Sequence, residues 1–302
     1  MRIVSALGLL AFALVGAAEP PLVTREVDER PSLQLKSVAQ FSRKEVPECS
    51  ALWASPSMPG VFWTLSDSGN KPHLVAIHAD GSLVRTERGP WTGVVLKGAT
   101  NNDWEAITGD ATTMIVADVG NNISKRKELQ LYLLPEPKPG TTEVADFRKV
   151  VFSWPDQSSF PDGNLEHDCE AAFMLRGKLY LLTKHRRDTL TDLWRIDIPA
   201  VGNRAVPTKL SRFDAKGMVT DAALSPDGQR LAVLTYRMVW VFDLPVSGEN
   251  FFSGKAIAAP LSPPVFSWQV EGCSWADGQT LLLGSEQGDL FKVRLADLGE
   301  VR

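Results

Sequence analysis

Five segments of the chain read alike, and the interval between them constrains the fold more than any other feature. They are Glu48-Cys49-Ser50-Ala51-Leu52, Asp103-Trp104-Glu105-Ala106-Ile107, Asp168-Cys169-Glu170-Ala171-Ala172, Val219-Thr220-Asp221-Ala222-Ala223 and Glu271-Gly272-Cys273-Ser274-Trp275. Their third residues lie 55, 65, 51 and 52 positions apart. Each segment is followed by a turn-rich gap and a β-forming run: Val61 to Leu65, Thr113 to Ala117, Lys178 to Thr183, Arg230 to Thr235 and Thr280 to Ser285. A third run follows in each unit, at His73 to Ile77, Leu129 to Leu134, Leu193 to Ile198, Met238 to Leu244 and Leu290 to Leu295. Tight-turn chemistry separates them, as at Ser225 to Gly228 and Asp80-Gly81. A recurring unit with a constant strand order marks a repeat architecture.

The chain is therefore expected to be all-β, a single β-propeller of five four-stranded blades. Outer strands are expected at Leu83 to Arg88, Lys149 to Trp154, Thr208 to Phe213 and Pro264 to Gln269. The fifth unit has no room for one before Arg302, so Leu33 to Phe41 is expected to complete it and close the ring, which removes two sheet edges. Six blades are the alternative, with a weak unit inside Pro135 to Pro161. That segment is rich in proline and charge and reads as an insertion. A β-sandwich does not predict the recurrence.

Ahead of the repeats, Met1-Arg2, the apolar run Ile3 to Val15 and the small residues Gly16-Ala17-Ala18 have the three-part layout of an export signal. The run is shorter than the roughly 20 residues of a membrane-spanning helix. The expected division is a signal peptide over 1–18, a linker over 19–32 and the propeller over 33–302, in a periplasmic or secreted monomer with no membrane span after cleavage. Lys and Arg total 32 against 36 Asp and Glu. Nucleic-acid binders usually carry a basic face, so this balance argues against that class. Three cysteines cannot all pair internally, although a Cys49–Cys273 bridge is feasible between the first and last blades.

In a propeller the first strand of each unit lines the channel. The third residues of the repeated segments, Ser50, Glu105, Glu170, Asp221 and Cys273, include three carboxylates. The second strands end in Asp67, Asp118, Lys184, Tyr236 with Arg237, and Glu286. Antiparallel pairing brings both sets to one rim. Crowded carboxylates raise one another's pKa unless a cation neutralises them, and Ca²⁺ suits oxygen ligands. Glu105, Glu170, Asp221, Asp67, Asp118, Glu271 and Glu286 are the candidate metal ligands, with Asn70, Asn121 and Asn122 able to add amide oxygens. Lys184 and Arg237 are candidates to hold an anionic substrate or to pair with the acids. His167 and His185 are candidate general acids or bases near neutral pH. No G-x-S-x-G elbow occurs.

Several of these stretches, among them Ser66-Asp67-Ser68-Gly69-Asn70, Ala117-Asp118-Val119-Gly120-Asn121-Asn122 and Thr220-Asp221-Ala222-Ala223, resemble a group of bacterial exported propellers of mostly uncharacterised activity. The resemblance runs from about Ala51 to Val293. Separately, Glu271-Gly272-Cys273 with Leu281 to Glu286 and Leu290 to Val293 resembles a blade of the β-propeller phytases, which are calcium-dependent phosphohydrolases. It implies a role for Glu271 and Glu286 alone. Two function classes are expected: metal-dependent hydrolysis of an ester, lactone or phosphate ester, or non-catalytic recognition of a small molecule, peptide, glycan or cell-envelope partner at the channel mouth.

Overall fold

A computed structural model describes residues 20–302, so the signal peptide expected over 1–18 lies outside the described residues. Runs rich in β-branched, aromatic and leucine residues, buried on both faces in the inner strands and alternately in the outer ones, form five antiparallel blades. From the channel outwards, blade 1 is Cys49–Ala54, Val61–Ser66, His73–His78 and Val94–Leu96, and blade 2 is Trp104–Gly109, Met114–Asp118, Leu129–Leu134 and Arg148–Phe152. Blade 3 is Asp168–Leu175, Lys178–Lys184, Leu190–Ile196 and Pro207–Asp214. Blade 4 is Val219–Leu224, Arg230–Thr235, Met238–Asp243 and Ala256–Ser262. Blade 5 is Val270–Asp277, Thr280–Ser285 and Asp289–Arg294, completed by Ser37–Gln40 from the other end of the chain.

Each innermost strand touches its neighbours on both sides, which closes the ring. The expected five blades and their N-terminal closure are both present. Asp289 fixes that closure: its buried Oδ1 accepts the Ser37 hydroxyl at 2.6 Å and the Gln40 amide at 2.9 Å. Gly81 lies against the closing strand, with a left-handed φ of 78°. A Cβ there would stand 2.1 Å from the Gln40 carbonyl oxygen, so only glycine lets the two backbones pass.

Two outer strands differ from expectation. In blade 1 the fourth strand is Val94–Leu96, because Leu83 to Arg88 turns instead into a two-residue ribbon, Arg85–Thr86 against Gly89–Pro90. In blade 4 it is Ala256–Ser262 and not Pro264 to Gln269. Within Pro135 to Pro161, Arg148–Phe152 is the outer strand of blade 2, so no sixth blade exists there.

The segment expected as a linker lays Leu22–Val23 parallel to the outer strand of blade 3, and Leu33–Gln34 then runs parallel to that of blade 4. The C-terminal Gly299–Glu300 pairs with the same blade 4 strand. Glu143–Val144 covers the outer strand of blade 1, and residues 203–205 bridge to Val151 on blade 2. Four outer edges thus carry further backbone.

Hydrophobic layers between the blades make the core. Trp63, Trp104, Trp194 and Trp240 are among the largest fully buried side chains. Three of these indoles donate: Trp104 to the Thr100 carbonyl, Trp240 to that of Ala215, and Trp63 to Glu136. Burial of each indole is worth on the order of 4–6 kcal/mol from area alone. Cys49, Cys169 and Cys273 are all buried free thiols, so the feasible Cys49–Cys273 bridge is not made. Burial pushes the Cys49 thiol up to about 12.

Candidate metal centre at the channel mouth

Every innermost strand opens with the same irregularity. The register slips by one residue between Cys49 and Ala51, Trp104 and Ala106, Cys169 and Ala171, Val219 and Asp221, and Val270 and Gly272. A β-bulge leaves one residue unpaired and re-aims its side chain. The five equivalent bulged residues are therefore Ser50, Glu105, Glu170, Thr220 and Glu271. Asp221 and Cys273, aligned with Glu170 by sequence, lie one and two places beyond this row.

The two hydroxyl members lock adjacent blades together: Ser50 donates to the Trp104 carbonyl at 3.0 Å and Thr220 to that of Val270 at 3.0 Å. The three glutamates have no such use and meet at the mouth. A second row sits one residue past the partner of each residue that precedes a bulge, at Asp67, Val119, Lys184, Tyr236 and Glu286. Alternation along a strand turns the preceding residue the other way. Asp118 is such a residue, and it is absorbed by Gln130 at 2.6 Å, Asn102 at 2.7 Å and Arg126 at 2.9 Å, away from the pocket.

The two rows enclose a cavity of about 150 Å³ with an almost entirely polar lining that includes Asp67, Glu105, Glu170, Lys184, Arg186 and Glu271. On one side the charges are paired. Lys184, 1% exposed, lies 3.1 Å from Glu170 and 3.9 Å from Glu271, donates to the Tyr236 hydroxyl at 3.0 Å and stands over that ring at 4.8 Å. Arg186 joins Glu170 at 3.2 Å to Asp168 at 2.6 Å. Tyr236 donates to Glu271 at 2.5 Å, and Gln269 bridges Glu271 and Glu286 at 3.2 and 2.7 Å.

On the other side they are not. Ligand oxygens of Asp67, Asp103 and Glu105 lie within 4.8 Å of one another. Among the described residues no cation stands within ion-pair distance of any of the three. Glu105 is 3% exposed and has one long contact, 3.4 Å from the Ser50 hydroxyl. Buried Asp103 Oδ1 has no hydrogen-bond partner among the described residues. Burial first, then Glu170, Asp67 and Asp103, push Glu105 well above the ordinary carboxylate range. Burial, Asp67 and Asp168 push Asp103 up to about 7. Glu286 rises to about 8 through burial and Glu271. Gly120 keeps the cradle open, since a Cβ there would stand 2.5 Å from the Asp103 carboxylate and 2.6 Å from Glu105. Three acidic oxygens with no counter-charge fit a hard divalent cation.

The other expected site residues lie elsewhere. Asp221 is deeper in the channel, with its carboxylate engaged by three backbone amides. Arg237 turns outwards to the Phe266 carbonyl at 3.0 Å and stacks on that ring at 3.9 Å. His167 is held between Asp162 at 2.7 Å and Asp156 at 2.9 Å. Burial works against its charge, yet the two carboxylates raise its pKa, and both ring nitrogens are occupied by these acids. His185 is enclosed within blade 3. Of the amide candidates, Asn122 lines the cavity, Asn121 binds the Arg126 amide and Asn70 binds Glu48. Asp103, Arg186 and Gln269 join the site without having been expected. Arg186 was readable, since it lies two residues past Lys184 and so shares its side.

No family model matches the chain, and no curated protein matches it. Among solved structures it is similar to a chain of the mitotic checkpoint complex, at 13% identity over 95% of this chain and 99% of that one with a TM-score of 0.42. It is also similar to hydrazine synthase of Kuenenia stuttgartiensis, at 10% identity over 82% and 71% with a TM-score of 0.45. The WD40 repeats of RRP9 align at 11% identity over 84% and 66%, with a TM-score of 0.37.

Proposed function

We propose that the protein is an exported, cation-dependent hydrolase of small esters that acts at the mouth of its propeller channel. The observation that carries this reading is the meeting of half-buried Asp67 with buried Asp103 and Glu105, without a counter-charge among the described residues, beside a polar cavity that Asp67 and Glu105 line. Asp67, Asp103 and Glu105 would hold a Ca²⁺-class ion, which would supply polarisation of an ester oxygen and acidification of a water. Glu170 and Glu271 line the same cavity and would accept the proton of the attacking water, while Tyr236, whose hydroxyl donates to Glu271, would return a proton to the leaving oxygen.

The charge of the lining narrows the substrate. Lys184 and Arg186 are already engaged by Glu170, Glu271 and Asp168, and Arg237 faces away. An anionic substrate finds no unengaged cation, so carboxylic esters and lactones suit the pocket better than phosphate monoesters. The export layout at 1–18 and the resemblance of the Glu271 blade to calcium-dependent propellers support the same reading.

The test uses protein stripped with chelator and then titrated with Ca²⁺, assayed on p-nitrophenyl acetate, a γ-lactone and p-nitrophenyl phosphate. Ca²⁺-dependent turnover of the first two, lost in Asp103→Asn and Glu105→Gln, is the expected result. Ca²⁺ binding without turnover would make the mouth a recognition surface, and absence of Ca²⁺ binding would remove the proposal.

A further inference from the structure

A second cluster of charge lies on the far side of blade 3, away from the channel. Glu166 on the approach to the blade, His185 just after its second strand and Asp192 on its third strand bring ligand atoms within 4.8 Å of one another. Lys184 and Arg186 face the mouth, so the residue between them turns the opposite way.

His185 is 1% exposed, and neither ring nitrogen makes a hydrogen bond among the described residues. A buried imidazole in that condition is costly. His167, held at both nitrogens, shows the satisfied alternative within the same blade region. His185 Nε2 stands 3.6 Å from Asp192 Oδ2, too far to bond. Two ligands of one tetrahedral zinc, each about 2.0–2.1 Å from the ion, lie about 3.3 Å apart. Across the ring, Asp188 Oδ1 is 3.0 Å from Nδ1 but out of hydrogen-bond alignment.

The local charge points the same way. Asp156, Asp162, Glu166, Asp188 and Asp192 face Lys209 and Arg212 together with the imidazoles of His167 and His185, so five carboxylates outnumber the two fixed cations by three. Arg212 grips Asp192 at 2.6 and 2.8 Å and Glu166 at 3.0 Å, and Lys209 reaches Asp192 at 3.1 Å. A carboxylate offers about four lone-pair sites, so these contacts orient both acids and leave each able to accept an ion.

We infer that Glu166, His185 and Asp192 form a second metal site, built by blade 3 for a zinc-class divalent ion and independent of the carboxylates at the channel mouth. One imidazole with two carboxylates favours zinc over calcium, whose ligands are oxygens, and three protein ligands leave a position for water.

The test is a Zn²⁺ titration of metal-free protein, read by calorimetry and by long-range ¹H–¹⁵N spectra of its four imidazoles. One equivalent of Zn²⁺ should move the His185 signals and leave those of His73, His78 and His167 in place. His185→Gln should lose that equivalent and keep Ca²⁺ binding at the mouth, whereas Asp103→Asn should do the reverse. Unmoved His185 signals, a doubly protonated His185 ring with zinc present, or equal zinc uptake by His185→Gln would each overturn the inference. If that variant does not fold, the spectra of the unaltered protein decide alone.

Discussion

Asp221 on blade 4 accepts the backbone N–H of Leu52 on blade 1 at 3.3 Å, a bond that reaches past blade 5. The same Oδ2 takes the Cys273 amide of blade 5 at 2.6 Å, while Oδ1 takes the Ala222 amide at 2.8 Å. Burial pushes the Asp221 carboxyl upwards, and the three amides pull it back. Asp221→Ala would strand these donors in the channel, and urea unfolding should record a loss of about 3–5 kcal/mol. A loss under about 1 kcal/mol would mean that the three blades hold together without it.

At the mouth the sign reverses. Asp103→Asn or Glu105→Gln removes one of three mutually repelling groups, so chelator-treated variant should melt several degrees above the parent. The rise in Tm produced by Ca²⁺ should vanish in the same variants. Differential scanning with chelator and with excess Ca²⁺ measures both, and a variant that keeps the parent's Ca²⁺ response would exclude these residues as ligands.

The pH dependence follows from Asp103, pushed up to about 7, and Glu286, pushed up to about 8, from ordinary values of 3.8 and 4.5. The folded chain binds more protons than the unfolded chain between those limits. This contribution to stability is complete below about pH 4 and is lost as pH rises through 7 to 8. Without metal, Tm should fall between pH 5 and pH 8.5, and saturating Ca²⁺ should flatten the fall. Asp192 has the opposite sign: against its burial, Arg212 and Lys209 hold it well below the usual range, so its contribution is lost as pH drops below 4.

Lys184→Met would leave Glu170 buried against Glu271 and Asp168, at a cost of about 3–5 kcal/mol in chemical denaturation. Adding Glu170→Gln should recover part of that loss through the coupling of a contacting pair. Additive losses in the double variant would show that Lys184 stabilises through its packing on Tyr236 alone.

The architecture was legible because strand order and spacing recur, and because Leu33 to Phe41 was strand-like with no partner nearby. The site was only partly legible. A bulge adds one residue without changing composition, so Asp221-Ala222-Ala223 aligned with Glu170-Ala171-Ala172, although Thr220 is the true counterpart of Glu170. Asp118 looked like a rim residue until alternation turned it to Gln130 and Arg126. The blade 1 outer strand is three residues long, and that of blade 4 is rich in alanine and carries Pro260, so neither has a strong strand pattern.

The covering of four blades at their rims has a consequence for crowded solution. A growing β-stack needs unoccupied N–H and C=O groups on which to add the next molecule. The fold leaves such a row chiefly along Ser37–Gln40, four residues long with Val38 half exposed and Lys36 beside it. Detachment of the leading segment would bare the rims of blades 3 and 5 and leave that of blade 4 covered by Gly299–Glu300 alone, so resistance to fibre formation should rest on keeping residues 20–40 in place.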